Sequence, residues 1–403
     1  MSRRLEKTER VFHGSLVNDE SQAVVEKKCI GIFSVVAIAA VLFGTLWPFN
    51  PWPANKVTWL AAANGLRFGQ SGVVLSEGPL QTRQENPSGK SCSLELLLRP
   101  ASVGVSDTIL AFYVPNNPKQ LLIRQWTDGL LVNHESVDAN GKTRGIKFDV
   151  DHAFQAGKLL LVTMVFGPDT TVVYRDGTQA QSFPRFTISP SEVSGQIVMG
   201  TSPVDYRPWL GEISGLAIYS RALSAAEVSR HYAQWTSGDT SAPPDLDGAI
   251  ARYEFNERSG REVHSAVPSG PTLVIPASFN VPHKAMLTSA VKEFDPSRQY
   301  VGDVAENIAG FIPLGAIVCI YFSFTRPRPL AILYATMIGG VLSFVIEVLQ
   351  AYIPRRVSGT TDIITNTLGA LVGAAIVRPD WIRTVLRAAG LLPSAKRAAL
   401  PPS

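Results

Sequence analysis

A helical membrane bundle of four spans joined to an all-β sandwich is the multi-domain architecture this sequence predicts, and three observations carry it. One is a run of nineteen residues without a formal charge at 29–47. Another is a group of three apolar runs near the other end of the chain. The third is the long stretch between them, where short β-branched segments alternate with turn residues. Composition agrees: 45% of the 403 residues are apolar and only 17% are charged, a lean charge quota for a wholly soluble chain. The 32 Gly and 28 Pro are spread without a period, which excludes a collagen-like repeat. A net charge of +4, from 37 Lys and Arg against 33 Asp and Glu, is too balanced for a binder of phosphate backbones, so no nucleic-acid partner is expected.

At about 1.5 Å per residue, the run at 29–47 approaches the roughly 30 Å of hydrocarbon in a bilayer. Lys27 and Lys28 precede it and Trp47 closes it, as a cytoplasmic N-terminus and a far-side aromatic belt require. Trp-Pro-Phe-Asn at the exit lacks the small residues of a cleavage site, so the segment reads as an uncleaved anchor. The later runs occupy 307–325, 329–353 and 363–377, the last being short for a span. Arg326, Arg328, Arg378, Arg383, Arg387, Lys396 and Arg397 would then share the cytoplasmic side with the N-terminus. Arg355 and Arg356 depart from that bias.

Between the first and second spans lie about 250 residues with no membrane-length apolar run, enough for one sizeable domain. Strands are predicted at 93–98, 108–113, 120–126, 158–166, 171–175, 196–199 and 209–219. Asp176-Gly177 reads as a hairpin turn. Ser224 and Glu227 form a capping box that opens a helix over 224–235. The Ser-, Pro- and Asp-rich segment 237–247 reads as a linker.

Gly65-Leu66-Arg67-Phe68, the Asp176-Gly177 hairpin and the closing stretch 209–228 resemble a laminin-G-like, concanavalin A-like jelly roll covering about 57–235. The resemblance implies two antiparallel sheets, often displayed outside the cell, that bind sugars or proteins or act as spacers. Residues 249–276 resemble the opening of a second such unit that does not complete.

Enzymatic signals are absent. No Glu-x-Asp-x-x-Glu strand places three carboxylates on one face, and Asp149 with Asp151 reads as a solvated turn. The histidines form no His-Glu-x-x-His pair, and there is no Gly-x-Ser-x-Gly elbow. Cys29, Cys92 and Cys319 have no metal-ligand spacing, so neither a metal nor a cofactor is expected. Trp126, Tyr206 and Trp209 could stack on sugars but in a sandwich are more often core.

The sharpest polar feature is internal. Asp303-x-x-x-Asn307-x-x-Gly310 and Asp362-x-x-x-Asn366-x-x-Gly369 share one pattern, each at the start of a span. Residues four apart lie on one helix face, and the Gly permits close backbone approach. Glu347 and Gln350 share a face near the end of the intervening helix, with Arg355 and Arg356 just beyond. Ionisable groups at membrane depth are costly unless paired or facing a polar cavity. The expectation is therefore one polar cluster, Asp303, Asn307, Glu347, Gln350, Arg355, Arg356, Asp362 and Asn366, serving as a ligand site or as interhelical glue.

These residues, with Pro313-Leu314-Gly315, Gly369 and Gly373, resemble the motif series of the VanZ family. The resemblance covers about 29–50 and 303–377 and makes the jelly roll an insertion. It implies a bacterial envelope membrane protein, the family's namesake being linked to low-level glycopeptide resistance. The expected organisation is a cytoplasmic segment 1–28, a span 29–49, the jelly roll 57–235 and a linker with a partial second unit 236–302. Spans 303–325, 329–353 and 362–377 and a cytoplasmic tail 378–403 follow. The expected place is the inner membrane of a Gram-negative-like cell, with the jelly roll in the periplasm. Membrane lipid, polysaccharide or a peptidoglycan precursor, and an envelope protein are the expected partners. Three roles follow: an envelope factor binding glycan and a lipid-linked saccharide, an enzyme or transporter of polyprenyl-phosphate carriers using Arg355 and Arg356, and a scaffold.

Overall fold

The computed structural model describes residues 2–81, 90–137, 143–237 and 244–378, together with 384 and 388. Most of the expected tail, with Arg383, Arg387, Lys396 and Arg397, and the middle of the linker, 238–243, lie outside the described residues. Pro51–Lys284 forms one compact unit; Met1–Asn50 with Ala285–Ser403 forms the other.

The first unit is a sandwich of two antiparallel sheets. Its strands are β1 (Val57–Trp59), β2 (Leu66–Phe68), β3 (Val74–Ser76), β4 (Cys92–Pro100), β5 (Val105–Val114), β6 (Asn117–Thr127), β7 (Gly129–Val137), β8 (Thr143–Val150), β9 (Leu160–Phe166), β10 (Thr170–Arg175), β11 (Thr178–Pro184), β12 (Gln196–Met199), β13 (Gly211–Tyr219), β14 (Ala249–Tyr253), β15 (Glu262–Val263) and β16 (Leu273–Val274). One sheet runs β1-β2-β13-β4-β9-β10-β11 with β14 beside β13, and the other runs β15-β16-β3-β12-β5-β6-β7-β8. Alternation sets what each face buries. Leu94, Leu96 and Leu98 of β4 face the central core with Ile123, Phe166, Ile197 and Trp209. The opposite face of the first sheet is covered as well, where Tyr219, Val165 and Tyr174 pack with Val228 of the helix α2 (Ala225–Ser237). Two-sided burial explains why β9 reads as a nearly continuous apolar run, broken only by Thr163.

Local signals act as their chemistry requires. Asp176 and Gly177 take φ of +50° and +77° between β10 and β11, the left-handed pair a tight hairpin needs. At α2, Ser224 N–H donates to Glu227 Oε2 at 2.7 Å and Glu227 N–H returns to Ser224 Oγ at 3.3 Å. Segment 249–276 corrects one expectation. Instead of opening a second unit, β14 pairs with β13, Leu216 opposite Tyr253, while β16 pairs with β3, Leu273 opposite Ser76. A strand-like pattern can extend an existing edge as readily as start a new sandwich, and here it covers edges that would otherwise expose unpaired backbone.

In the second unit, helix α1 covers Ser2–Leu46, α3 Ala290–Glu293, α4 Arg298–Phe322, α5 Arg328–Ala351 and α6 Thr360–Ile376. Among the described residues three helical segments are long and apolar enough to cross a membrane: Val24–Leu46, Arg298–Phe322 and Arg328–Ala351. Four spans overstates this number, because α6 has 17 residues, about 26 Å of rise against roughly 30 Å of hydrocarbon. Small residues let α4 and α6 meet backbone to backbone. A Cβ added at Gly369, Gly373 or Gly315 would strike the carbonyl oxygen of Ile308, Ile312 or Ala370, respectively. Gly310, the matching glycine of the first motif, faces open space.

Candidate functional site

Three of the polar groups expected at membrane depth, Glu347, Asn307 and Asp362, meet around the first turn of α6. A helix start leaves backbone N–H groups without intrahelical partners and carries partial positive charge. Here carboxylates meet both needs. Glu347 of α5 is 1% exposed, and its Oε2 accepts Gly359 N–H at 2.7 Å. Glu293, at the end of α3, accepts Thr361 N–H at 3.0 Å and Thr361 Oγ–H at 2.6 Å. Thr360 N–H donates to the Thr288 carbonyl at 2.8 Å, and Thr360 Oγ1 accepts Ala290 N–H at 2.7 Å. Ser358 Oγ–H closes back on the Glu347 carbonyl at 2.8 Å. An added Cβ at Gly359 would meet the Glu293 carboxylate, which would have to shift from its place on Thr361. Sequence reasoning missed Glu293, which sits in no motif and reaches its partner across 68 positions.

The two Asp/Asn motifs meet different fates. Asn307 Nδ2 donates to Asp362 Oδ1 at 2.8 Å, tying α4 to α6 across the motifs. Asn366 instead turns to α5, donating to Ser343 Oγ at 2.9 Å. Asp303 is exposed and, among the described residues, has neither hydrogen bond nor ion pair. Gln350 Nε2 donates to the Thr45 carbonyl at 3.2 Å, and an Arg356 guanidinium N–H donates to the Trp47 carbonyl at 2.8 Å, both tying this end of α5 to the end of α1. Arg355 is exposed. The arrangement is thus two sets of interhelical ties, with Asp303 standing apart from both.

In the sandwich, the aromatic expectations separate. Trp209 is core, its Nε1–H donating to Gln125 Oε1 at 2.8 Å. Tyr206 packs edge-on against Phe279 with ring centroids 5.3 Å apart. Trp126 is 52% exposed. It shares a strand face with Arg124, two residues away, whose guanidinium donates to Ser106 Oγ at 3.1 Å. Burial and neighbouring Arg207 hold the Arg124 guanidinium below its usual pKa, against the pull of Asp205 and Asp107. Burial pushes the Asp107 carboxyl up, although Arg207 and Arg124 oppose this. Among the described residues, Arg124 Nε, Asn133 Oδ1 and Asp205 Oδ1 have no hydrogen-bond partner.

A second group of titratable side chains in the sandwich, around Glu95, is tied into packing. Buried Glu95 accepts from Tyr219 Oη–H and Trp235 Nε1–H and pairs with His231 Nδ1, each at 3.0 Å, which pins α2 to the sheet. Burial first, then Glu95, pushes the Tyr219 phenol well above its usual range. Asp149 and Asp151 are exposed. Among the described residues no group of three His, Cys, Asp or Glu is placed to hold a metal ion.

Residues 71–229 match the family model described as the concanavalin A-like lectin/glucanases superfamily, and residues 254–383 match that of VanZ/LLP1. The two matches fall on separate stretches of the chain. The concanavalin A-like match runs from just before β3 into α2, and the VanZ/LLP1 match takes in α3 to α6. Together with its apolar helices, the VanZ/LLP1 match makes this a membrane protein. Among solved structures, the chain is similar to the botulinum neurotoxin type G receptor binding domain at 14% identity, covering 45% of each chain, with a TM-score of 0.31. It is also similar to the binding domain of Paraclostridial Mosquitocidal Protein 1, at 12% identity, 45% and 47% coverage, and a TM-score of 0.35. A SAP-like pentraxin from Limulus polyphemus matches at 13% identity over 57% of this chain and 95% of its own, with a TM-score of 0.33. The chain spans about half the length of the first two of these structures. No curated protein matches it.

Proposed function

We propose that this chain is an envelope membrane protein of a Gram-negative-like bacterial cell that holds a saccharide-binding sandwich in the periplasm, with the polar cluster at α6 acting as the clamp of its membrane unit. The observation that carries the reading is the face bearing Trp126. An exposed indole offers an apolar platform for a sugar ring, and Arg124 on the same strand face, with Ser106 opposite Trp126, offers hydrogen-bonding groups beside it. The concanavalin A-like match supports the same ligand class, envelope polysaccharide or a peptidoglycan precursor. Lys27, Lys28, Arg326 and Arg328 at the ends of the apolar helices support cytoplasmic termini.

The test is retention of the detergent-solubilised full chain on a panel of immobilised envelope glycans, with Trp126→Ala beside the parent. Losing a stacking platform worth about 1.4 kcal/mol corresponds to about tenfold weaker retention. Retention by no glycan, or equal retention of the variant, contradicts the proposal.

A second reading, a site for a lipid-linked saccharide or glycopeptide-related ligand at α6, draws on Asp303, an exposed carboxylate one turn before Asn307, whose amide reaches Asp362. The handling of polyprenyl phosphate by Arg355 and Arg356 has less support, because Arg356 is already tied to the end of α1 and Glu347 to the start of α6.

A further inference from the structure

Away from the polar cluster, α1, α4 and α5 border an open cavity of about 720 Å³ whose two ends differ in chemistry. At one end lie Lys27, Arg326, Tyr321 and Tyr334; toward the other the wall is Ile38, Leu42, Val341 and Val345. Lys27 Nζ stands 5.7 Å from the Tyr321 ring centroid, which fixes the cation at the junction of α1 and α4. Arg326 is exposed in the link between α4 and α5, and Val341 is 63% exposed. Glu26, beside Lys27 in the chain, is buried. From Lys27 to Leu42 the groove follows α1 for about 22 Å, longer than the roughly 15 Å of hydrocarbon in one leaflet.

We propose that this groove binds an anionic glycerophospholipid of the surrounding bilayer, with its phosphate between Lys27 and Arg326 and one acyl chain along Ile38, Leu42, Val341 and Val345. Charge complementarity selects this occupant. A neutral lipid would leave two cations unanswered at the headgroup level, and a second copy packed in parallel would set Lys27 and Arg326 against their own equivalents. Tyr321 and Tyr334 have the amphipathic side chains that favour the headgroup boundary. The proposal is independent of what the sandwich binds.

Native mass spectrometry of the full chain, released from detergent micelles carrying equal amounts of phosphatidylglycerol and phosphatidylcholine with identical acyl chains, tests it. One phosphatidylglycerol should be retained at least tenfold more than phosphatidylcholine. Lys27→Gln with Arg326→Gln should abolish that preference. Val341→Trp, which fills the apolar end and keeps both cations, should reduce retention of either lipid at least tenfold. Lys28→Gln, outside the groove, should leave it unchanged. Equal retention of the two lipids, an unaffected Val341→Trp variant, or an equal loss in Lys28→Gln would overturn the proposal. A dimer mass that vanishes in Val341→Trp would do the same by assigning the groove to a second copy.

Discussion

The starts of α2 and α6 are both held by carboxylates, and they differ in where the carboxylates come from. At α2 the cap is local: Glu227 returns to Ser224, three residues back, and pairs with Arg221 at 2.8 Å. At α6 the caps are remote, Glu347 arriving from α5 and Glu293 from α3. A local cap stabilises one helix, whereas a remote cap also fixes where that helix stands relative to its neighbours. The carboxylates of the membrane unit are therefore read as joints, and their loss should be felt beyond α6 itself.

The largest effect should come from the contact that brings these elements together. Gly369→Leu forces a side chain against the Ile308 carbonyl and should cost about 1–3 kcal/mol or more. Gly310→Leu meets nothing and should leave thermal stability in detergent unchanged. Similar losses at both positions would erase the distinction between the two motifs. Glu293→Ala comes next. It strands Thr361 N–H and Oγ–H, which costs about 1–3 kcal/mol; because Glu293 is only partly buried, water can recover some of this. An unchanged unfolding midpoint would show that the remote cap is dispensable.

The smallest effect belongs to the local cap and appears as a pH dependence. Bonds from Arg221 and then Ser224 hold the Glu227 carboxyl down at about 2, against an ordinary 4.5. Since the folded value is the lower one, the stabilisation is complete above about 4.5 and is lost as pH falls toward about 2. Glu227→Gln should therefore lower stability near neutral pH and match the parent near pH 2. A deficit that persists at pH 2 would assign the cap to hydrogen bonding alone.

What the sequence reveals follows the same division between local and remote. The hairpin at Asp176-Gly177, the Ser224–Glu227 box and the apolar runs of α1, α4 and α5 are contained within short windows, and each is legible there. The repeat of Asp, Asn and Gly marks two equivalent helix faces, but periodicity says nothing about what covers a face. One copy is packed, with Gly369 against Ile308 and Asn366 bonded to Ser343; in the other, Asp303 and Gly310 face outward. β8 escapes notice because it buries little beyond Phe148 and Val150, so its alternation is faint. The destination of β14 and the role of Glu293 depend on partners distant in the chain, which no local window contains.

The claim that the predicted membrane cluster is a clamp rests most directly on one comparison, the thermal unfolding midpoint of Glu347→Ala and Asp303→Ala full chains in the same detergent. Removing the Glu347 carboxylate leaves the buried Gly359 N–H without an acceptor, a loss of about 1–3 kcal/mol, whereas Asp303 is exposed and unpaired among the described residues. A clearly lowered midpoint is expected for Glu347→Ala and an unchanged one for Asp303→Ala. A Glu347→Ala protein as stable as its parent, or equal losses in the two variants, would contradict it.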